Sequence, residues 1–262
     1  MELDLSGRHA LVCGASEGIG RAAAHELALL GASVTVLSRR AGVLQEVAAA
    51  LPRTAGGQAH GWLAIDAANT EALAAEVAAL AAANPVHVLV NNSGGPPGGT
   101  ALEASPDAYL QAFRQHLLAN QVVTGAVVPG MRAAGWGRVV NVISTSVKEP
   151  IAHLGVSNTV RGAVASWAKT LSRELGADGI TVNSVLPGYT RTGRLEQILD
   201  QRVASTGRDR EQVAAAMLAG VPAGRFAEAR EIAAAIAFLA SPAAGYINGV
   251  SLAVDGGRMQ SV

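Results

Sequence analysis

The feature that most constrains this chain is a glycine-spaced turn set between two kinds of apolar pattern. His9-Ala-Leu-Val-Cys13 reads as a buried strand and Gly18 to Leu30 as an amphipathic helix. Between them runs Cys13-Gly-Ala-Ser-Glu-Gly-Ile-Gly20, with glycines at 14, 18 and 20. Glycine at this spacing permits a tight turn and a close approach of backbone to a ligand. The helix that follows offers unpaired N–H groups and the positive end of its dipole. A strand, such a turn and a helix in that order form a seat for the pyrophosphate of a dinucleotide.

The rest of the chain repeats the same alternation. Strands are expected at Ser33 to Leu37, Gly61 to Ile65, Val86 to Val90, Arg138 to Ile143, Ile180 to Leu186 and Val250 to Val254. Helices are expected at Ala41 to Leu51, Thr70 to Ala82, Ser105 towards Gly135, Leu154 to Leu175 and Ala229 to Leu239. Strand–helix repetition demands parallel strands joined by right-handed crossovers. The expected fold is therefore α/β: a Rossmann-type doubly wound parallel sheet of about seven strands flanked by helices. No linker or charge block divides the chain, so residues 1–262 read as a single domain, with a variable substrate lid at about 190–222. Half the residues are hydrophobic but only 3% are aromatic, so the core must be built from Ala, Val, Leu and Ile.

Formal net charge is +0, which gives no footprint for nucleic acid or an anionic membrane. No apolar run reaches the roughly 18 residues of a membrane span, and residues 1–8 do not read as a secretory signal. Cys13 is the single cysteine, so no disulfide forms within the chain. These readings point to a cytoplasmic protein with a small-molecule substrate, no nucleic-acid or membrane partner, and no metal site.

The second strand ends in Leu37-Ser38-Arg39-Arg40. Ser38 stands where NAD-binding proteins place an acid for the ribose 2′-hydroxyl, and Arg39 offers a charged fork to a 2′-phosphate. This favours NADP(H) over NAD(H). Glu17 in the turn pulls the other way.

Taken together, these residues resemble the short-chain dehydrogenase/reductase family over nearly the whole chain. Gly14, Ser16, Glu17, Gly18, Ile19 and Gly20 look like its phosphate turn, and Asp66 and Ala67 like its adenine contact. Asn91-Asn92-Ser93-Gly94 is similar to its N-N-A-G element, with serine for alanine. Pro187-Gly188, followed by Thr192, is similar to the element that cradles the nicotinamide. Asn248-Gly-Val-Ser251 and Val254-Asp-Gly-Gly257 match its C-terminal segment. The resemblance implies a homotetramer or homodimer packed through the helices at 105–135 and 154–175.

The resemblance also exposes a departure. The family's usual set is Asn, Ser, Tyr and Lys, with Tyr donating the proton as hydride leaves the nicotinamide. Ser144 matches the serine, but Ser157 stands at the tyrosine position, Arg161 at the lysine and His116 at the asparagine. A serine hydroxyl is a far weaker acid than a tuned phenol, and losing one general acid lowers a rate by roughly 10²–10⁴. Arg161 can hold a ribose but cannot shuttle a proton. His153, one turn before Ser157, and His116 titrate near neutrality and are the replacement donors first in line; Tyr189 and Lys148 follow. The expected function is an NAD(P)-dependent carbonyl/hydroxyl oxidoreductase with an atypical active site. The alternatives are a cofactor-binding sensor or partner subunit without turnover, and non-redox chemistry on the same scaffold.

Overall fold

A computed structural model describes residues 1–261. Its elements follow in the order β1 (His9–Cys13), α1 (Gly18–Leu29), β2 (Ser33–Ser38), α2 (Ala41–Ala50), β3 (Gly61–Ala64), α3 (Thr70–Ala83), β4 (Val88–Asn91), α4 (Pro106–Phe113), α5 (Ala119–Ala133), β5 (Gly137–Val142), α6 (Gly155–Leu175), β6 (Ile180–Pro187), β7 (Thr190–Arg191), α7 (Gly193–Thr206), α8 (Arg210–Leu218), β8 (Ala227–Glu228), α9 (Ala229–Ala240) and β9 (Ser251–Val254).

Seven strands form one sheet in the order β3-β2-β1-β4-β5-β6-β9, every pair parallel. β1 sets His9 opposite Ser33 on one side and Ala10 opposite Val88 on the other. The chain thus winds outward in both directions from β1 and β4. Loops leaving the carboxyl ends of these two strands diverge there, and the crevice between them is where ligands enter such sheets.

Strand side chains alternate between two apolar layers. Val12, Val36, Val90 and Val140 join Leu27, Leu44 and Ile236 from α1, α2 and α9. Leu11, Leu89, Val139 and Val182 join Leu73, Val127 and Leu175 from α3, α5 and α6. Both layers are largely Val, Leu, Ile and Ala, the small-residue core that the scarcity of aromatics required.

The helix expected from Ser105 towards Gly135 is interrupted. Ser105 does cap it, accepting from Ala108 N with Pro106 at the first turn. But Arg114–Leu118 form a π turn between α4 and α5. The extra residue per turn rotates everything after it about the axis, and such bulges concentrate at functional sites. One short ladder that the pattern does not foretell pairs β7 with β8, and α7 and α8 lie between these two strands in the chain. No helix among the described residues is long and apolar enough to cross a membrane.

Candidate active site

One cleft of about 1360 Å³ runs along the carboxyl ends of the central strands. At one end it meets the glycine turn. Gly14 has φ +60, and a Cβ there would lie 2.6 Å from Asn92 O and 2.7 Å from Asn92 Nδ2. Asn92 closes on the turn because its amide donates to Gly14 O (3.2 Å). Gly20 lies behind the turn, where a Cβ would strike Gly14 O, so it sets the packing of helix on strand instead of lining the cleft. The amino end of α1 carries no side-chain cap, which leaves its first N–H groups open to an anion.

The far adenosine end is lined by Ser38, Arg39, Asp66 and Ala67. Ser38 Oγ is buried and has no hydrogen-bond partner. Glu17 does not stand free: Arg40 Nη2 donates to its carboxylate at 2.8 Å and reaches Ser16 Oγ at 3.2 Å. A 2′-phosphate arriving here would meet an orphaned hydroxyl, the unpaired Arg39 guanidinium, and a carboxylate already neutralised. The residues present therefore fit a phosphorylated dinucleotide.

At the other end, Ser144, Ser157, Arg161 and His153 all line the cleft. Ser144 follows β5, and its Oγ accepts from Ser146 N at 3.1 Å, so its own O–H remains able to donate. Ser157 and Arg161 sit one turn apart on α6. Arg161 donates to Val142 O (2.9 Å) and Ser93 O (3.4 Å). Burial, and then the charge of Arg194, lower its pKa to about 10, so it stays a cation at neutral pH. Pro187, Gly188 and Thr192 complete the floor, with Thr192 packed on Gly18. Ser93 and Gly94 form the opposite wall.

His116 is a correction. It does not face the cleft but lies inward, 1% exposed, with Nδ1 2.7 Å from Ser93 Oγ and Nε2 without a partner. Burial, reinforced by Arg161, lowers its pKa to about 3, so it is neutral near pH 7 and no proton donor. The π turn has moved its neighbours Gln115, Ala119 and Asn120 onto the cleft instead. Lys148 does not line the cleft either. Three departures from the family pattern nevertheless touch: His116 bonds the Ser93 hydroxyl, and Arg161 the Ser93 carbonyl. Of the six histidines, His153 alone lines the cleft. Its φ is +60, the one non-glycine residue described with positive φ, and its carbonyl accepts from Gly99 N at 2.8 Å, stitching two rim loops together. Side chains held in such conformations gather at functional sites. Tyr189 stands edge-on to Phe226 and faces the cleft.

Sequence patterns did not reveal Arg194, Arg202 and Arg258, which also line the cleft. None belongs to a family element.

Comparison with known proteins agrees with this geometry. A family model described as enoyl-(acyl carrier protein) reductase matches residues 14–258. The short-chain reductase protein NovJ of Streptomyces niveus is 34% identical over 252 residues, covering 95% of this chain and 93% of its own. The 3-oxoacyl-[acyl-carrier-protein] reductase FabG of Vibrio harveyi is 33% identical over 258 residues, covering 97% and 98%. Among solved structures, the L-sorbose reductase of Gluconobacter frateurii complexed with NADPH and L-sorbose superposes with TM-score 0.93 at 29% identity, covering 100% of both chains. With its sheet order, glycine turn and strand-end elements all in place, the chain belongs to the short-chain dehydrogenase/reductase family.

Proposed function

We propose that this protein is an NADPH-dependent oxidoreductase that interconverts a carbonyl and a hydroxyl on a small molecule. One observation carries the reading: a single continuous cleft joins the phosphate turn to the Ser144, Ser157 and Arg161 group. NADPH, when bound, supplies the hydride. Gly14, Ser16, Gly18 and Ile19 hold its pyrophosphate, Ser38 and Arg39 its 2′-phosphate, and Asn92, Gly94, Pro187, Gly188 and Thr192 its nicotinamide half. Arg161 presents remaining N–H groups to the ribose. Ser144 donates its O–H to the substrate oxygen, and Ser157 lies on the same wall. His153 supplies the proton, as the one histidine that lines the cleft. The segment 190–222 acts as the lid.

NADPH-bound structural neighbours support the cofactor choice. The relatives' names span 3-oxoacyl-[acyl-carrier-protein], polyketide and sugar chemistry, so they do not choose a substrate. The protein acts as a cytoplasmic homodimer or homotetramer: Leu110 and Leu118 are exposed around the π turn, and Leu252 is exposed on edge strand β9.

The test is NADPH oxidation against a panel of ketones and oxo acids, with a pH profile. His153→Gln should lower kcat by roughly 10²–10⁴. If NADPH binds but no carbonyl in the panel is reduced, the reading fails.

A further inference from the structure

We propose that the substrate carries a carboxylate beside its reacting carbonyl, and that Arg258 on the C-terminal tail holds it. The proposal rests on the assignment of Ser144 to the carbonyl oxygen and names the substrate class of that site.

Arg258 reaches the cleft because the tail is folded back to deliver it. Gly256 and Gly257 have φ +67 and +81, a conformation that side-chain-bearing residues rarely adopt, and Gly256 packs on Val221 and Ala223. Asp255 pins the turn: its carboxylate accepts from Gly257 N at 3.0 Å and Met259 N at 2.8 Å. Beyond it, Glu149 Oε1 accepts from Gln260 N and Ser261 N at 2.8 and 2.7 Å. Arg258 is thus fixed from both sides before any ligand arrives. Its Nη1 donates to Thr145 Oγ1 at 3.2 Å, on the residue next to Ser144, and its guanidinium lies 4.9 Å over the Tyr189 ring. A guanidinium has five N–H donors, so most of the fork remains available.

The charge around it asks for an anion. Arg161, Arg194, Arg202 and Arg258 line the cleft, whereas its acids are only Glu17, in the phosphate turn and paired with Arg40, and Asp66, beside the adenosine end. Among the described residues, no carboxylate lies within ion-pair distance of any of the four. Glu149 feels the charge of Arg258, but its Oε1 is occupied by the two tail amides. Uncompensated cations in a cleft focus a positive field and draw anions in. Arg194 is two residues past Thr192, which touches the phosphate turn, and it donates to Pro96 O across the cleft at 2.7 Å. It therefore falls to the cofactor side. Arg258 adjoins Ser144 and falls to the substrate. A planar fork there matches a carboxylate in bidentate geometry.

The experiment compares an oxo acid with its methyl ester as NADPH-linked substrates. The acid should show a KM roughly 10- to 100-fold below the ester's, the worth of charge-assisted hydrogen bonds. Arg258→Met should raise the acid's KM by that factor and leave the ester's KM and the NADPH Kd unchanged. Arg258→Lys should recover only part. Equal KM values for acid and ester in the unaltered protein, or an equal loss for both in Arg258→Met, overturn the proposal. Calorimetry with malonate on the NADP⁺-loaded protein gives a readout independent of turnover. Binding that is lost in an Arg258→Met variant of unchanged melting temperature supports the carboxylate site even if no carbonyl is reduced, in which case the oxidoreductase reading alone fails. No malonate binding to the unaltered protein overturns the site.

Discussion

Glu17 and Arg39 pull cofactor choice in opposite directions when read as letters, and the structure resolves the conflict through Arg40. The Glu17–Arg40 pair is exposed, so it contributes little to stability, yet it cancels a negative charge near the point where a 2′-phosphate would sit. Arg39 has no such partner and remains available. Arg39→Ala should weaken NADPH binding by roughly 10- to 100-fold and leave NADH nearly untouched. Glu17→Gln should tighten NADPH, because it frees Arg40 to meet the 2′-phosphate. Fluorescence titration with both cofactors reads the two effects, and loss of NADH affinity in the Arg39 variant would contradict this division of labour. Ser144, Ser157 and Arg161 were legible because their spacing is set by a strand end and a regular helix. Arg258 was not, since it meets Thr145 from 113 positions away through an irregular tail whose path depends on backbone φ and on the Asp255 and Glu149 carboxylates.

Among the elements, the strands and the helices packed on them could be read from period alone, because each buries one face against the sheet. The π turn could not: a change of hydrogen-bond register leaves no mark in apolar spacing. That is why His116, at the family's asparagine position, was expected in the cleft yet lies behind it, while Gln115 and Asn120 line the surface. The short β7 and β8 ladder was equally silent, being two residues long on each side. The tail is the element on which the carboxylate site depends, and it is sensitive at one backbone position. A Cβ on Gly256 would lie 3.0 Å from both Ala223 and Val221 and force an L-residue to φ +67. A left-handed conformation costs about 1–2 kcal/mol. Gly256→Ala should therefore lower the melting temperature by several degrees, at roughly 2–4 °C per kcal/mol for a domain of this general size. A melt that does not move would mean the tail relaxes freely, and Arg258 is then not held in advance.

For the whole molecule, histidine burial links the fold to pH. His9 bridges Asn84 O (3.1 Å) and Thr35 Oγ1 (2.8 Å) at the amino ends of the strands, and His60 and His87 accept from the neighbouring backbone at Val34 and His9. His116 is buried behind the cleft wall. Burial is the leading cause that lowers all four pKa values, His116 to about 3. A histidine held neutral in the fold is protonated first in the unfolded chain, so acid favours unfolding. Their contribution is complete above the unfolded pKa near 6.5 and is lost progressively as pH falls towards the folded values. Carboxylates such as Glu231, lowered to about 2 chiefly by its hydrogen bond from Arg225, add to the loss only below about 4.5. The interval from about 6.5 to 4.5 therefore belongs to the histidines. Melting temperature without cofactor should be flat above pH 7 and fall steadily across that interval. A His9→Gln, His116→Gln double variant should start lower at pH 7 and fall less steeply, because two of the groups that take up protons on unfolding are gone. A slope that the double variant leaves unchanged would move the acid sensitivity to other groups, and a flat profile down to pH 5 would mean that these histidines titrate normally in the fold.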